Sequence, residues 1–166
     1  MGKGVVRVSI KNFTRQNLKV LTGVPFSTVS DAVLPGWEVS LVFVGATKAR
    51  SLNQSLRSKS YIPNVLSYEV GTKSGEIIIC LSEAATESPR FGMNERNFVL
   101  LLFIHGLLHL EGRAHGATME QCEQKLLAKF LPAQASAKGR VRTSPNVSTN
   151  RNRNRHRHIP GKTGRG

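Results

Sequence analysis

The residues of this chain best suited to chemistry sit in one stretch, HGLLHLEGRAH, from His105 to His115, which holds three of the five histidines. His105 and His109 are four apart, so on an α-helix both rings leave the same face, about one turn from each other. Two imidazole nitrogens can then meet one metal ion. His115 lies too far along a continuous helix to join them, but Gly112 can adopt the left-handed conformation that ends a helix and turns the chain back. Three neutral imidazoles with an open position make a catalytic zinc site, in which bound water becomes far more acidic. We therefore expect one Zn2+ per chain, held by His105, His109 and His115, although three imidazoles also suit nickel, copper or cobalt. A single histidine on an apolar face is usually a hydrogen-bonded core residue. Three in HxxxHxxGxxH, with the glycine at the turn, are much harder to assign to packing.

The neighbours of the ligands narrow the chemistry. The spacing is that of metzincin peptidases, HExxHxxGxxH, but Gly106 stands where their general base would be. Glu111 lies between ligands, and on a helix it should face elsewhere. Gly106 carries a helix cost of up to ~1 kcal/mol relative to alanine, so we expect it to mark a place where substrate or another backbone comes close.

These ligands need a helix and a scaffold, and the pattern supplies both. VVRVSI (Val5 to Ile10), WEVSLVFVG (Trp37 to Gly45), NVLSYEV (Asn64 to Val70) and GEIIICLS (Gly75 to Ser82) read as strands. Helical turns are expected between Asn12 and Leu34, broken near Gly23 and Pro25. A helix is expected over ATKARSLNQSLR, with Ala49, Leu52 and Leu56 at helical spacing. The run NFVLLLFIHGLLHL, opened by Asn94 as N-cap and Glu95 in the first turn, is apolar nearly all round and predicts a central, covered helix. A last helix, Thr118 to Phe130, has Cys122, Leu126 and Phe130 on one stripe and stops at Pro132. The order of elements predicts an α+β domain.

At 166 residues the chain has room for one domain plus a tail. The net charge is +14, yet nine of the 24 Lys and Arg, and none of the ten Asp and Glu, lie from Pro132 onward. That tail, AKGRVRTSPNVSTNRNRNRHRHIPGKTGRG, has almost no large apolar residue and is expected to be disordered. Alternating arginines suit phosphate contacts along RNA, with a solubilising extension as the plainer reading. We therefore divide the chain into a folded domain, 1–131, and a basic tail, 132–166. Cys80 and Cys122 form no CxxC pair, which argues against a cysteine zinc site and fits a reducing, cytoplasmic setting. No run is long enough for a transmembrane helix, and MGKGVVRVSIKNF lacks a signal-peptide core, so no membrane partner is expected.

HGLLHLEGRAH closely resembles the HGxLHLxGYDH signature of the YbeY family, endoribonucleases that act in ribosomal RNA maturation. Upstream, VSLVFVG is similar to that family's strand before the helix. LNQSLRSKSYIPNVLSY resembles its LNxxYRxKDxPTDVLSF segment, and GEIIICLSEAA resembles its GDIxIS strand. The likeness runs from about residue 37 to 116 and keeps the family's order. It implies a zincin-like α+β fold, with a small mixed sheet packed with helices and the metal on the central helix. It further implies RNA as the partner, ribosomal RNA or ribosomal particles in particular, and Arg57 as the basic residue of the active-site cleft. A guanidinium there can hold a phosphate through two hydrogen bonds and steady developing negative charge. From sequence alone, without the resemblance, Arg57 would be a solvated charge at a helix end.

Three acidic positions of the family pattern are neutral here: Ser60, Asn64 and Ala114. Carboxylates beside metal-bound histidines fix their tautomer, so a weaker set of supports around the metal is expected. The expected activity is a zinc-dependent, single-strand-selective endoribonuclease with Arg57 as the catalytic residue. The alternatives are a non-catalytic RNA-binding assembly factor with a structural zinc and, further off, a metallopeptidase whose base lies elsewhere in the fold.

Overall fold

A computed structural model describes residues 7–131. The basic tail and Pro132 lie outside the described residues. The elements follow as β1 (Val8–Asn12), α1 (Phe26–Val33), β2 (Glu38–Val44), α2 (Ala46–Arg57), β3 (Val65–Gly71), β4 (Ser74–Cys80), α3 (Leu81–Glu87), α4 (Glu95–Leu110) and α5 (Ala117–Phe130). Short 3-10 turns span Leu18–Leu21 and Ser88–Phe91. This is the expected α+β class.

The strands form one mixed sheet in the order β1-β2-β4-β3. β1, β2 and β4 run parallel, and β3 returns antiparallel along β4 as an edge strand. Alternation along β2 sends Val39, Leu41 and Phe43 into the main core, while Val42 and Val44 face α2 with Ala49, Leu66, Ile78 and Cys80. Such two-sided burial is why β2 and β4 read as almost continuous apolar runs. α4 packs in the main core against the sheet, α1 and α5. Every residue of α4 from Asn97 to Leu108 is buried, which its all-round apolar sequence requires. Among the described residues no helix is long and apolar enough to cross a membrane.

Three expectations shift. The apolar strand ending at Ser82 stops at Cys80, and LSEAATE becomes α3, whose Leu81 and Ala84 are buried. Periodicity alone does not separate a buried strand from a buried helix over so short a run. The inner stripe of α5 is Met119, Glu123 and Leu127, while Cys122, Leu126 and Phe130 pack only partly against the core. β1 runs on to Asn12 rather than ending at Ile10, while Val5 and Val6 lie outside the described residues.

Gly106 is close-packed, but its neighbour is neither substrate nor backbone. A Cβ at this position would lie 3.0 Å from Ile77 Cγ2 on β4, so the missing side chain lets α4 settle onto the sheet. One turn on, Gly75 in β4 leaves room for Leu110; a Cβ there would come within 2.6 Å of Leu110 Cδ1. The two glycines set the height of the C-terminal half of α4 above the sheet.

Candidate metal centre

α4 supplies two of the three imidazoles from its last two turns. Its N-terminus is held by the Asn94 side chain, which accepts from the Asn97 amide at 2.8 Å. At the other end, the Arg113 amide donates to the Leu108 carbonyl (3.0 Å) and the Gly112 amide to that of His109 (2.9 Å). This pair of reversed bonds is a Schellman closure, with Gly112 at φ +95° in the left-handed position. The chain turns back as expected. His115 comes within ring-centroid distances of 5.2 Å from His105 and 4.4 Å from His109, and those two are 4.5 Å apart. One nitrogen from each ring lies within 4.8 Å of the others, a grouping able to hold a metal ion.

The hydrogen-bond partners decide which nitrogens are available. His109 Nδ1 lies 3.0 Å from the Arg113 carbonyl oxygen, which can only accept, so this nitrogen carries the proton. His105 Nδ1 lies 2.7 Å from Glu123 Oε1, and the two residues are 1% and 3% exposed. With both Nδ1 atoms donating, each ring in the form that binds metal presents an Nε2 lone pair. The two Nε2 atoms face each other at 3.0 Å. Two acceptors at that distance repel unless a cation stands with them, so the donor set fits a metal. The ring of His109 is pushed down to about 4, by burial first and then by His105, His115 and Arg57, against the opposing Arg113 carbonyl. His115 is also lowered, by partial burial, then by His105 and Arg57, with Glu123 opposing. Both rings are therefore neutral near pH 7, the form in which an imidazole binds metal.

The three rings open into a cleft of about 410 Å³. Arg57, the last residue of α2, lines it together with Leu56 and with Val65, Leu66, Ser67 and Tyr68 of β3. Structure thus brings Arg57 beside the histidines, exposed and without an ion-pair partner among the described residues. Its position is held from behind. The fully buried Asn53 donates from Nδ2 to the Tyr61 carbonyl (3.0 Å), tying the last turn of α2 to the segment that enters β3.

Glu111, as expected, turns away and pairs with Arg113 at 2.5 Å. The expectation of weak support around the metal needs correcting for His105. Ser60, Asn64 and Ala114 bring no carboxylate, but Glu123 from α5, a helix whose expected stripe was apolar, supplies one to His105 Nδ1. The available signal was a glutamate between Met119 and Leu127 at four-residue spacing, a charge on a buried stripe. The Arg113 carbonyl carried no such signal, because any residue has one. Asn64 also has a partner: its Nδ2 donates to Glu87 Oε2 at 2.7 Å, where an aspartate would face a second carboxylate.

Comparison with known proteins agrees with this geometry. The sequence model described as Endoribonuclease YbeY matches residues 6–131. The Endoribonuclease YbeY of Thiobacillus denitrificans is 31% identical over 103 residues, covering 56% of this chain and 70% of that protein. That of Bordetella petrii is 36% identical over 83 residues, covering 47% of this chain; here the chain spans only 54% of the relative's length. A solution structure from Thermotoga maritima shares the fold with a TM-score of 0.56 at 21% identity, over 74% of this chain and 88% of that one. With a match across all of its described residues and this histidine cluster in place, the chain belongs to the Endoribonuclease YbeY family.

Proposed function

We propose that this protein is a zinc-dependent endoribonuclease that cleaves single-stranded segments of ribosomal RNA during its maturation, in the cytoplasm. The observation that carries the reading is the convergence of three imidazoles and the unpaired Arg57 guanidinium on one open cleft. His105, His109 and His115 would hold the metal, and three neutral nitrogens with an open side suit zinc. When bound, zinc supplies a Lewis acid for a phosphoryl oxygen and lowers the pKa of water.

The chain's own residues supply the rest. Glu123 and the Arg113 carbonyl hold the two α4 rings in one tautomer. Arg57 offers a forked donor set to a phosphodiester and steadies the charge that develops on it. Leu56, Val65, Leu66 and Tyr68 form a wall with apolar faces, which suits an unstacked base and so favours single strands over duplex. The ribosomal assignment rests on the family resemblance. An open cleft with one exposed ligand, His115, favours catalysis over a closed structural zinc site.

The test pairs elemental analysis with a cleavage assay on a ribosomal RNA fragment, with and without chelator. One zinc per chain and chelator-sensitive cleavage are expected. Zinc without cleavage would replace this reading with the RNA-binding assembly factor.

A further inference from the structure

The cleft is not the only surface suited to a nucleic acid. Phe13 is 72% exposed, the most open of the large apolar side chains among the described residues. It does not hang on a loose loop. Its amide donates to the Phe43 carbonyl at 2.9 Å, extending β1 by one bond along β2. Asn12 Oδ1 accepts from the Thr14 amide (2.9 Å) and hydroxyl (2.7 Å), and Asn12 Nδ2 donates to the Gln16 carbonyl (3.0 Å). Thr14 Oγ1 accepts from the Gln16 amide, and Asn17 Oδ1 from that of Lys19. A ring held in the open by so many local bonds is presented to solvent at the cost of its hydration.

The sequence flanking Phe13 is cationic. Lys11, Arg15 and Lys19 recur every four residues about it, and no acidic residue occurs before Asp31. Among the described residues none of these three is in an ion pair. Phe43, the backbone partner of Phe13, lies two residues before Gly45, where α2 begins. α2 is 12 residues, about 18 Å at 1.5 Å per residue, and it ends at Arg57 in the cleft. Its exposed face carries Lys48 and Arg50, and the chain has no acidic residue between Glu38 and Glu69. A track with no acidic residue of its own therefore runs from Phe13 and Phe43 through α2 to the candidate metal centre; Glu83 and Glu87 belong to α3, which packs against α2.

We propose that Phe13 is a base-stacking platform at the far end of this track, so that one RNA strand is gripped at Phe13 and led along α2 into the cleft. An exposed aromatic ring set among unpaired cations is the combination that holds single-stranded nucleic acid, stacking one base while the cations follow the phosphates. The proposal rests on RNA being the substrate, as argued above.

The test uses the full chain and a fluorescein-labelled oligouridine long enough to span α2, read by anisotropy. Phe13→Ala should weaken binding roughly tenfold, whereas Phe13→Trp should bind like the parent and show indole quenching on RNA addition beyond that of Trp37. Replacing Lys11, Arg15 and Lys19 together by Gln should flatten the slope of log affinity against log salt by about two. Phe13, Lys11, Arg15 and Lys19 are all exposed, so these variants should fold like the parent, and a thermal melt checks each. Unchanged affinity in Phe13→Ala with no quenching in Phe13→Trp overturns the platform, and so does a parent that binds no RNA. Self-association that Phe13→Ala abolishes without any effect on RNA binding overturns it too, in favour of a second copy of this chain. Cleavage of ribosomal RNA is scored separately: quenching without cleavage sinks the nuclease reading alone, and cleavage without quenching sinks the platform alone.

Discussion

Glu123 Oε1 lies 2.7 Å from Nδ1 of His105, joining the middle of α5 to the penultimate turn of α4 inside the core. A buried carboxyl group beside a buried imidazole stabilises one ring orientation and one tautomer, and leaves Nε2 free for the metal. The same contact makes the packing of α5 on α4 part of the site.

Removing that carboxyl group tests its role. Glu123→Ala should lower zinc affinity by about 10–100-fold and, by leaving a buried N–H unpaired, cost roughly 1–3 kcal/mol of stability. Glu123→Gln keeps an acceptor oxygen and should lose less of both. Competition with a chromophoric chelator and urea unfolding give the two numbers. Parental zinc affinity in Glu123→Ala would show that the contact serves packing alone.

Arg57 should behave in the opposite way. It is exposed at the end of α2, so Arg57→Ala is expected to change stability by less than about 0.5 kcal/mol and to leave zinc content intact. Cleavage should fall by about 100-fold or more, with Arg57→Lys recovering only part because a lysine cannot hold a phosphate with a fork. Full cleavage by Arg57→Ala would remove this residue from the machinery.

Gly106→Ala gains helix propensity of up to ~1 kcal/mol but sets a methyl group 3.0 Å from Ile77 Cγ2. Overpacking of this kind costs ~1–3 kcal/mol, so net destabilisation is expected, together with weaker zinc binding from the displaced α4. Adding Ile77→Val removes Cδ1, which would lie 3.1 Å from the new methyl group, and should recover part of the loss. Thermal unfolding of the two single variants and the double variant measures that coupling; strict additivity would mean that the two residues do not press on each other.

Tyr68, in the wall of the cleft, offers a pH test on a group that is not itself a candidate metal ligand. Its hydroxyl donates to Glu76 across the β3–β4 pair, and its pKa is pushed up from 10.0 to about 12, by burial first and then by the hydrogen bond and charge of Glu76. Between those values the unfolded chain has released the proton and the folded one keeps it. Stability from this group is therefore complete below about pH 10 and is lost as pH rises toward 12. Tyr68→Phe should show a shallower alkaline loss of stability in denaturant titrations from neutral to high pH. Parallel curves for parent and variant would contradict the assignment.

How much of this was legible beforehand depended on the range of the interaction. The i,i+4 spacing of His105 and His109, the turn at Gly112 and the cap at Asn94 are properties of a few consecutive residues, and helix geometry alone settles them. The strands of the sheet followed in the same way from alternation and β-branched residues. α3 escaped because a short apolar run has no period long enough to separate helix from strand. Glu123, the Arg113 carbonyl, the Ile77 contact at Gly106 and the side of the cleft on which Arg57 stands were decided only by tertiary structure. Each pairs or gathers groups from different elements or from beyond a turn, and their meeting depends on how α2, α4 and α5 settle against the sheet. Local periodicity places a side chain on a face, and packing decides what that face meets.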